Sequence, residues 1–267
     1  MPLLIRNGGV GKTTTTVNLG NGLVRSGKKV LLIDLDPQGD LTTSLGFKNQ
    51  DNMENTIKTL MEKVIQKIDI DQEEAILKNN EGIDLIPANI ELEALETSMI
   101  KYIDKENILK KYVSKVKENY DYILIDCRPS LGLLTINALA TADSVIIPVQ
   151  AQYLPLKGMT QLFQTIDKTR VHINRKLKIE GVLLTIADMK TKLAKTTIET
   201  LRNNYGRNIK IYNTVIPMGV KAAESTIEGK SVYAYDKRSK PAIAYEEFTK
   251  EVLANSERTK ARTYECR

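Results

Sequence analysis

Short runs of valine, isoleucine and leucine recur along the chain, and they constrain its fold more than any other feature. Each run is apolar at nearly every position, which is typical of strands buried on both faces of a parallel sheet. The runs are Lys28–Asp36, Gly82–Ala88, Tyr120–Cys127, Asp143–Gln150, Lys178–Asp188 and Ile209–Pro217. Amphipathic segments with helical spacing, such as Thr13–Gly27 and Asn107–Tyr120, lie between them. The alternation predicts an α/β fold with a doubly wound, mostly parallel sheet and helices on both faces.

The chain reads as one domain. It has 267 residues, of which 42% are hydrophobic, and it contains no proline-, serine- or glycine-rich linker and no internal repeat. We therefore predict a single nucleotide-binding domain over residues 1–255 and a basic, disordered tail over residues 256–267. No apolar run approaches the roughly 20 residues of a membrane-spanning helix.

Histidine and cysteine are scarce, which excludes several kinds of site. His172 is the only histidine, and Cys127 and Cys266 are the only cysteines. A zinc site, a Ser-His-Asp triad or a disulfide framework therefore has too few residues to be built from. The start also lacks the basic and apolar regions of a secretory signal, so we expect a cytoplasmic protein.

A glycine-rich turn stands between the first apolar residues and the first amphipathic segment. Glycines at positions 8, 9 and 11 leave room for backbone amides to converge on phosphate oxygens, at the positive end of the following helix. Lys12 would neutralise the β- and γ-phosphates, and Thr13 would bind magnesium. The nucleotide-binding loop predicted in this way is Gly8, Gly9, Val10, Gly11, Lys12, Thr13 and Thr14.

Carboxylates stand at the ends of two later strands. Asp34 and Asp36 end the run Lys28–Asp36 before a Pro-Gln-Gly turn, and Asp126 lies near the end of the run Tyr120–Cys127. Such carboxylates can orient water and a metal ion beside a γ-phosphate. Each element alone could be an ordinary turn or strand-end cap, but their order after a phosphate loop favours a nucleotide site.

The segment "NGGVGKTT", Asn7–Thr14, resembles the deviant Walker A loop of the ParA/MinD group of ATPases, whose pattern is K-G-G-x-G-K-[ST]. Further segments are similar to ParA/Soj-type DNA-partition proteins in particular. These segments are Asp34–Asp40, Leu85–Glu96, Asp126–Gln150 and Asn213–Lys240. The similarity extends from about Leu4 to Leu253.

The resemblance implies an ATP-driven switch that uses Mg²⁺. The ATP-bound form would be a sandwich homodimer that binds double-stranded DNA without sequence preference, is nucleoid-associated, and is released when a ParB-like partner stimulates hydrolysis. Lys12 and Asp36 would be catalytic, and the metal would be held by Thr13 and, through water, by Asp126 and Asp36. The segment bordering the adenine would include Pro217, Met218 and Val220.

Asn7 departs from the family pattern, because the signature lysine that reaches the partner's nucleotide should stand there. Asparagine is shorter and uncharged, and Arg6 should point to the opposite side of an extended backbone. An alternative function is therefore a hydrolysis-deficient, ATP-responsive DNA tether or regulator. Arg128 stands where the family often has proline, and we expect it to face solvent.

Basic residues in the last third of the chain are candidates for DNA binding. The net charge is +6 and the pI is near 9.1, which favours anionic partners. A solvated charged face is the alternative interpretation. The candidates are Lys190, Lys192, Lys195, Arg202, Lys221, Lys237, Arg238 and Lys240.

A MinD-like association with membranes is the weaker alternative. The chain ends in Ala254–Arg267, where only Tyr264 and Cys266 are apolar candidates for an anchoring face, so we expect no membrane partner. A metabolic P-loop ligase or reductase is also disfavoured, because no substrate motif or cysteine cluster accompanies the loop.

Overall fold

The computed structural model describes residues 2–3, 9–151, 156–207 and 209–265. The strands of the described residues are β1 (Pro2–Leu3), β2 (Val30–Leu35), β3 (Leu77–Lys78), β4 (Asp84–Ile86), β5 (Tyr122–Cys127), β6 (Ser144–Gln150), β7 (Lys178–Ala187) and β8 (Ile211–Pro217). The helices of the described residues are α1 (Lys12–Arg25), α2 (Asp40–Ser44), α3 (Ile57–Gln66), α4 (Glu91–Met99), α5 (Ile108–Val116), α6 (Leu133–Thr141), α7 (Leu156–His172), α8 (Lys192–Tyr205), α9 (Val220–Ile227), α10 (Val232–Asp236) and α11 (Lys240–Glu265).

The strands form one sheet in the order β3-β4-β2-β5-β1-β6-β7-β8. All neighbouring strands in this order are parallel except β3 and β4, which are antiparallel. The first strand of the chain thus lies in the middle of the sheet, between β5 and β6. The predicted doubly wound, mostly parallel sheet is confirmed.

Alternate residues of the strands enter two separate cores. In β2, Leu31 and Ile33 pack into one core, whereas Val30 and Leu32 pack into the other. Because successive strand side chains point to opposite faces, a strand buried on both sides must be apolar throughout. The same alternation directs the carboxylate of Asp34 to the side of Val30 and Leu32.

Helices cover both faces of the sheet. Residues of α3 to α8 belong to the core with Leu31 and Ile33, and residues of α1, α2, α10 and α11 belong to the core with Val30 and Leu32. Among the described residues, no helix combines the length and the apolar character that crossing a bilayer requires.

The final helix differs from the sequence-based expectation. α11 continues to Glu265, through most of the segment 256–267 for which we predicted a disordered tail. The segment 256–265 is helical instead, as an extension of a helix whose earlier residues Tyr245, Phe248 and Val252 are buried against the sheet. The boundary between the domain and this terminal segment stays a prediction.

Candidate functional site

The phosphate loop runs directly into α1. Gly9 and Gly11 have φ angles of 74° and 79°, which glycine adopts without the steric cost that other residues incur. Apart from its chain neighbours, a Cβ placed on either glycine would meet no atom of the described residues within 4 Å, so among these residues it is the backbone conformation that requires glycine. No side chain of the described residues caps α1 at Gly11, and the amides of its first turn are oriented to receive an anion.

Part of the predicted loop lies outside the described residues. Gly8 belongs to that part, and Asn7 and Arg6 before it also lie outside the described residues, so the roles of all three stay predictions. Val10, Lys12, Thr13 and Thr14 follow in the described loop and the first turn of α1. Lys12 is 8% exposed.

Asp126 joins α1 to the end of β5. Its carboxylate accepts hydrogen bonds from the Thr13 hydroxyl at 2.7 Å and the Thr16 hydroxyl at 3.4 Å. Thr13 and Asp126 are 113 residues apart in the chain, and the parallel register brings them to the same edge of the sheet. A hydroxyl beside a carboxylate, next to a loop that fits phosphate, is an oxygen donor set suited to Mg²⁺ with water.

Burial raises the pKa of Asp126 to about 6, and Asp36 contributes to this increase. The hydrogen bonds from Thr13 and Thr16 and the charge of Lys12 act in the opposite direction. A carboxylate in this position gains from a cation close by, because positive charge stabilises its ionised form.

Asp34 and Asp36 have different surroundings. Asp34 is fully buried and accepts hydrogen bonds from the Thr42 amide at 2.9 Å and the Thr42 hydroxyl at 2.7 Å. Burial, together with the nearby Asp126, raises the pKa of Asp34 to about 8. Asp36 is half-buried in the turn that follows, where its carboxylate accepts the Gln38 amide at 3.1 Å. Asp34 therefore anchors the turn, whereas Asp36 is accessible for water.

The predicted adenine segment follows the carboxyl end of β8. The phosphate loop follows β1 on the same side of the sheet, and β8 is three strands from β1. Pro217 ends β8, and Met218 and Val220 are exposed. The Met218 amide donates to the Ala187 carbonyl at 3.1 Å, so this segment is fastened to the end of β7. The structure places these residues beside the edge that carries the loop, and their contact with a base stays a prediction.

The candidate DNA-binding residues are all exposed or half-buried, but they are not one patch. Lys190 and Lys192 follow the carboxyl end of β7, and Lys221 follows that of β8, so these three share one edge of the sheet. Lys221 is paired with Glu224 at 2.9 Å. Arg202 lies ten residues beyond Lys192 on α8, about 15 Å along the helix axis.

The remaining candidates are Lys195, one turn into α8, and Lys237, Arg238 and Lys240 at the junction of α10 and α11. Because α8 covers one face of the sheet and α10 and α11 cover the other, the eight residues lie on both faces.

Arg128 does not face solvent as the sequence suggested. Its guanidinium contacts Glu96 at 3.1 Å and Glu93 at 3.8 Å, both on α4. Glu96 also accepts the Leu134 amide at 3.1 Å, in the first turn of α6. One carboxylate thus fixes the loop after Asp126, an arrangement that no local sequence pattern reveals.

Known proteins resemble this chain over most of its length. A family model described as an AAA domain matches residues 3–179. The sporulation initiation inhibitor protein Soj of Bacillus subtilis is 46% identical over 250 residues, which cover 94% of this chain and 96% of that protein. The chromosome partitioning protein ParA of Caulobacter vibrioides is 36% identical over 251 residues, covering 93% of this chain and 91% of that one.

A solved structure shares the fold. Cobyrinic acid a,c-diamide synthase from Mycobacterium smegmatis, with bound ATP analogue and magnesium, superposes with a TM-score of 0.83 at 32% identity, covering 96% of this chain and 94% of that one. The names of Soj and of the diamide synthase describe different activities. The chain is 46% identical to Soj and 32% identical to the diamide synthase.

Proposed function

Because the chain belongs to the family of the Soj and ParA partition ATPases, we propose that it is an ATP hydrolase that acts in DNA partition. Its cofactors are ATP and Mg²⁺. The observation that best supports the proposal is the hydrogen bond of 2.7 Å from the Thr13 hydroxyl to the Asp126 carboxylate. It places oxygen atoms that suit Mg²⁺ next to a glycine loop that suits phosphate. ParA and Soj relatives that match over nearly the whole chain support the partition role.

The site residues have separate roles in hydrolysis. Lys12 and the amides of the loop would neutralise the phosphates, and Thr13 and Asp126 would hold Mg²⁺, with Asp126 acting through water. Bound Mg²⁺ supplies charge neutralisation at the transferred phosphoryl group. Asp36, accessible in its turn, orients the attacking water. Phosphoryl transfer depends chiefly on positioning and electrostatics, which these residues provide without a covalent intermediate.

The functional cycle involves two further partners. The ATP-bound chain forms a sandwich homodimer, and the exposed lysines at the carboxyl edge of the sheet bind double-stranded DNA through its phosphates. A ParB-like protein stimulates hydrolysis and so releases the dimer from DNA. The protein would accordingly be cytoplasmic and associated with the nucleoid.

An assay of ATP hydrolysis with and without DNA and the ParB-like partner tests this function. We expect slow basal turnover that rises when both are present. Retention on non-specific duplex should require ATP and weaken steeply with salt, because phosphate contacts release counterions. An absence of retention at low salt, with ATP demonstrably bound, would contradict the DNA-binding role.

The hydrolysis-deficient tether is the second candidate, and Asn7 is the observation that favours it. The variant Asn7→Lys restores the cation that the family pattern has at this position. If the missing lysine limits the cycle, this variant should increase ATP-dependent dimerisation and stimulated turnover. Equal dimerisation and turnover in both proteins would show that another residue has taken this role.

A further inference from the structure

The end of β7 contacts the phosphate loop through the side chain of Thr185. The Thr185 hydroxyl donates a hydrogen bond of 2.8 Å to the carbonyl of Val10, across 175 residues of chain. Thr185 is 1% exposed and Val10 is 4% exposed, so water cannot readily replace either partner. Val10 lies between the two left-handed glycines of the loop.

This hydrogen bond fixes the orientation of a whole peptide unit. The Val10–Gly11 peptide is planar and trans, and in such a unit the carbonyl and the N–H point in opposite directions. With its carbonyl on Thr185, the peptide turns the Gly11 N–H away from β7. The loop is bounded by protein on the Thr185 side, whereas a Cβ at Gly9 or Gly11 would meet no atom within 4 Å in the part of the chain that the structure describes, chain neighbours aside.

The end of β7 is itself held in an unusual conformation. Ile186, next to Thr185, has a φ of 50°, which is a rare and strained value for a β-branched residue. Leu184 pairs with Val215 and Ala187 with Pro217, so β7 has one residue more than β8 in this stretch. Such a bulge re-aims side chains and is frequent next to active sites.

Backbone hydrogen bonds secure both sides of the strained residue. The Thr185 carbonyl accepts the Ala151 amide at 3.1 Å, and the Ala187 carbonyl accepts the Met218 amide at 3.1 Å. The strand end is therefore fastened to the residue after β6, to the segment after β8 and to the loop. A rigid support of this kind is what a precisely held binding loop requires.

We propose that Thr185 is a positioning residue of the phosphate loop, whose hydroxyl keeps the Gly11 N–H directed at the phosphates before nucleotide arrives. The inference rests on the proposed function, in which ATP binds at this loop. The competing explanation is that Thr185 is a buried hydroxyl satisfied by the nearest carbonyl, with a role in stability alone.

The variant Thr185→Val tests the inference, because valine has nearly the same shape and no donor. The Val10 carbonyl loses its partner and its peptide can rotate, so the Kd for Mg-ATP should rise about tenfold. Turnover at saturating ATP should fall less than about threefold, since the affected interaction is with bound nucleotide in both ground and transition states. Titration with a fluorescent ATP analogue and steady-state hydrolysis measure the two effects.

Two variants separate positioning from stability. Thr185→Ser keeps the donor and should bind Mg-ATP within about twofold of the unchanged protein. Thr249→Val removes a hydroxyl of the same kind, which is buried on α11 and donates to the Tyr245 carbonyl at 2.8 Å. It should lower the melting temperature and leave the Kd for Mg-ATP within about twofold.

Hydrogen–deuterium exchange of the nucleotide-free protein gives an independent readout. The peptide spanning residues 9–14 should exchange faster in Thr185→Val than in the unchanged protein, and Thr185→Ser should restore the slower rate. Should valine prevent folding, Thr185→Ala serves as a second donor-free variant.

The inference is overturned if Thr185→Val binds Mg-ATP with unchanged Kd, or if Thr185→Ser loses as much affinity as Thr185→Val. Lys12→Ala, measured in parallel, tests separately whether the loop binds nucleotide. Loss of binding in Lys12→Ala with none in Thr185→Val rejects only the positioning role. Undiminished binding in Lys12→Ala rejects the loop as the nucleotide site.

Discussion

Asp34 and Asp126 are direct neighbours in the register of β2 and β5, yet they serve different purposes. Asp126 accepts hydrogen bonds from the hydroxyls of Thr13 and Thr16 on α1, whereas Asp34 accepts hydrogen bonds from the amide and the hydroxyl of Thr42. Two carboxylates on adjacent strands would repel each other if both were ionised. The hydrogen bonds from Thr42 stabilise the ionised form of Asp34, and the charge of Lys12 stabilises that of Asp126, so both reduce the effect of the repulsion.

At the residue scale we expect Asp36→Ala to separate binding from hydrolysis. Asp36 is half-buried in the turn after β2, where its carboxylate accepts the backbone amide of Gln38, so its removal should leave Mg-ATP binding within about threefold. Hydrolysis should fall at least about 100-fold, the range for a residue that positions or activates a nucleophile. Single-turnover hydrolysis and nucleotide titration measure both quantities.

Asp40→Asn is the matched control for this prediction. Asp40 is an exposed carboxylate at the start of α2, four residues beyond Asp36. Its neutralisation should leave hydrolysis within about twofold, as is usual for exposed positions. Equal decreases in both variants would assign the effect to the charge of the turn and not to Asp36.

Thr42 should contribute strongly to stability. Its hydroxyl donates a hydrogen bond to the Asp34 carboxylate at 2.7 Å and accepts one from the Ala88 amide at 3.2 Å. In Thr42→Val the carboxylate and the amide, which are both buried, lose their hydrogen bond to this hydroxyl. We expect the free energy of unfolding to fall by about 2–4 kcal/mol. Thr43→Val, whose hydroxyl donates to carbonyls of its own helix region, should cost under about 1 kcal/mol in the same urea titration.

The sequence predicts site residues that stand in local motifs, and it does not indicate side chains whose contacts are distant in the chain. Lys12, Thr13 and Asp126 stand in recognisable motifs, and the structure places them together at the start of α1 and the end of β5. Thr42 and Thr185 carry no local signal, because each is defined by a partner that only the fold brings near. Threonine in a strand or short helix is common, and its position alone does not distinguish a support from an ordinary residue.

At the scale of the element, α1 contains glycines where helix propensity disfavours them. Gly22 lies in the second half of α1, and a Cβ placed there would come within 2.2 Å of the Thr249 hydroxyl on α11. The close approach of α1 to α11 therefore requires a glycine, although glycine costs about 1 kcal/mol relative to alanine inside a helix.

We expect Gly22→Ala to destabilise the protein by about 1–3 kcal/mol, because overpacking outweighs the gain in helix propensity. Urea unfolding measures the change. Combining it with Thr249→Ala, which removes the clashing hydroxyl, should recover at least half of the decrease. An increase in stability in Gly22→Ala would contradict the claim that the close approach of α1 to α11 requires a glycine at this position.

Elements with strong periodicity were predicted well, and short or connecting elements were not. The segment Thr13–Gly27 predicted α1, and Gly27 has the left-handed φ of 78° expected just after a helix end. The antiparallel strand β3 has two residues, too few for any alternation to be visible. The contact of Arg128 with α4 depends on how α4 packs, which is a property of tertiary structure.

At the scale of the whole molecule, the proposed DNA contact lies at the carboxyl ends of the strands, where Lys190, Lys192 and Lys221 stand. We expect the charge reversal Lys190→Glu/Lys192→Glu to weaken ATP-dependent retention on duplex DNA at least about tenfold. The slope of log K against log salt should fall in magnitude by about 2, roughly one unit for each DNA phosphate that the variant no longer neutralises. Retention measured across a salt series checks both.

The control is Lys110→Glu/Lys117→Glu. These exposed lysines lie in α5 and the turn after it, away from the carboxyl edge of the sheet, and the variant has the same change in net charge. Retention should change far less than in the first variant, because the overall charge acts only through screened, long-range attraction. Equal weakening by both would point to net charge and not to a defined surface.

The position of β1 in the sheet places it beside strands that are distant from it in the sequence. β1 is synthesised first, but its neighbours in the sheet are β5 and β6, and the loop that follows it reaches its support only when Thr185 exists. At typical synthesis rates of about 5–20 residues per second, those 175 residues correspond to roughly 10–35 seconds. For that interval the emerging chain carries the glycine loop without the Thr185 side chain that contacts it. The loop therefore gains this contact only after β1 to β6 have been synthesised.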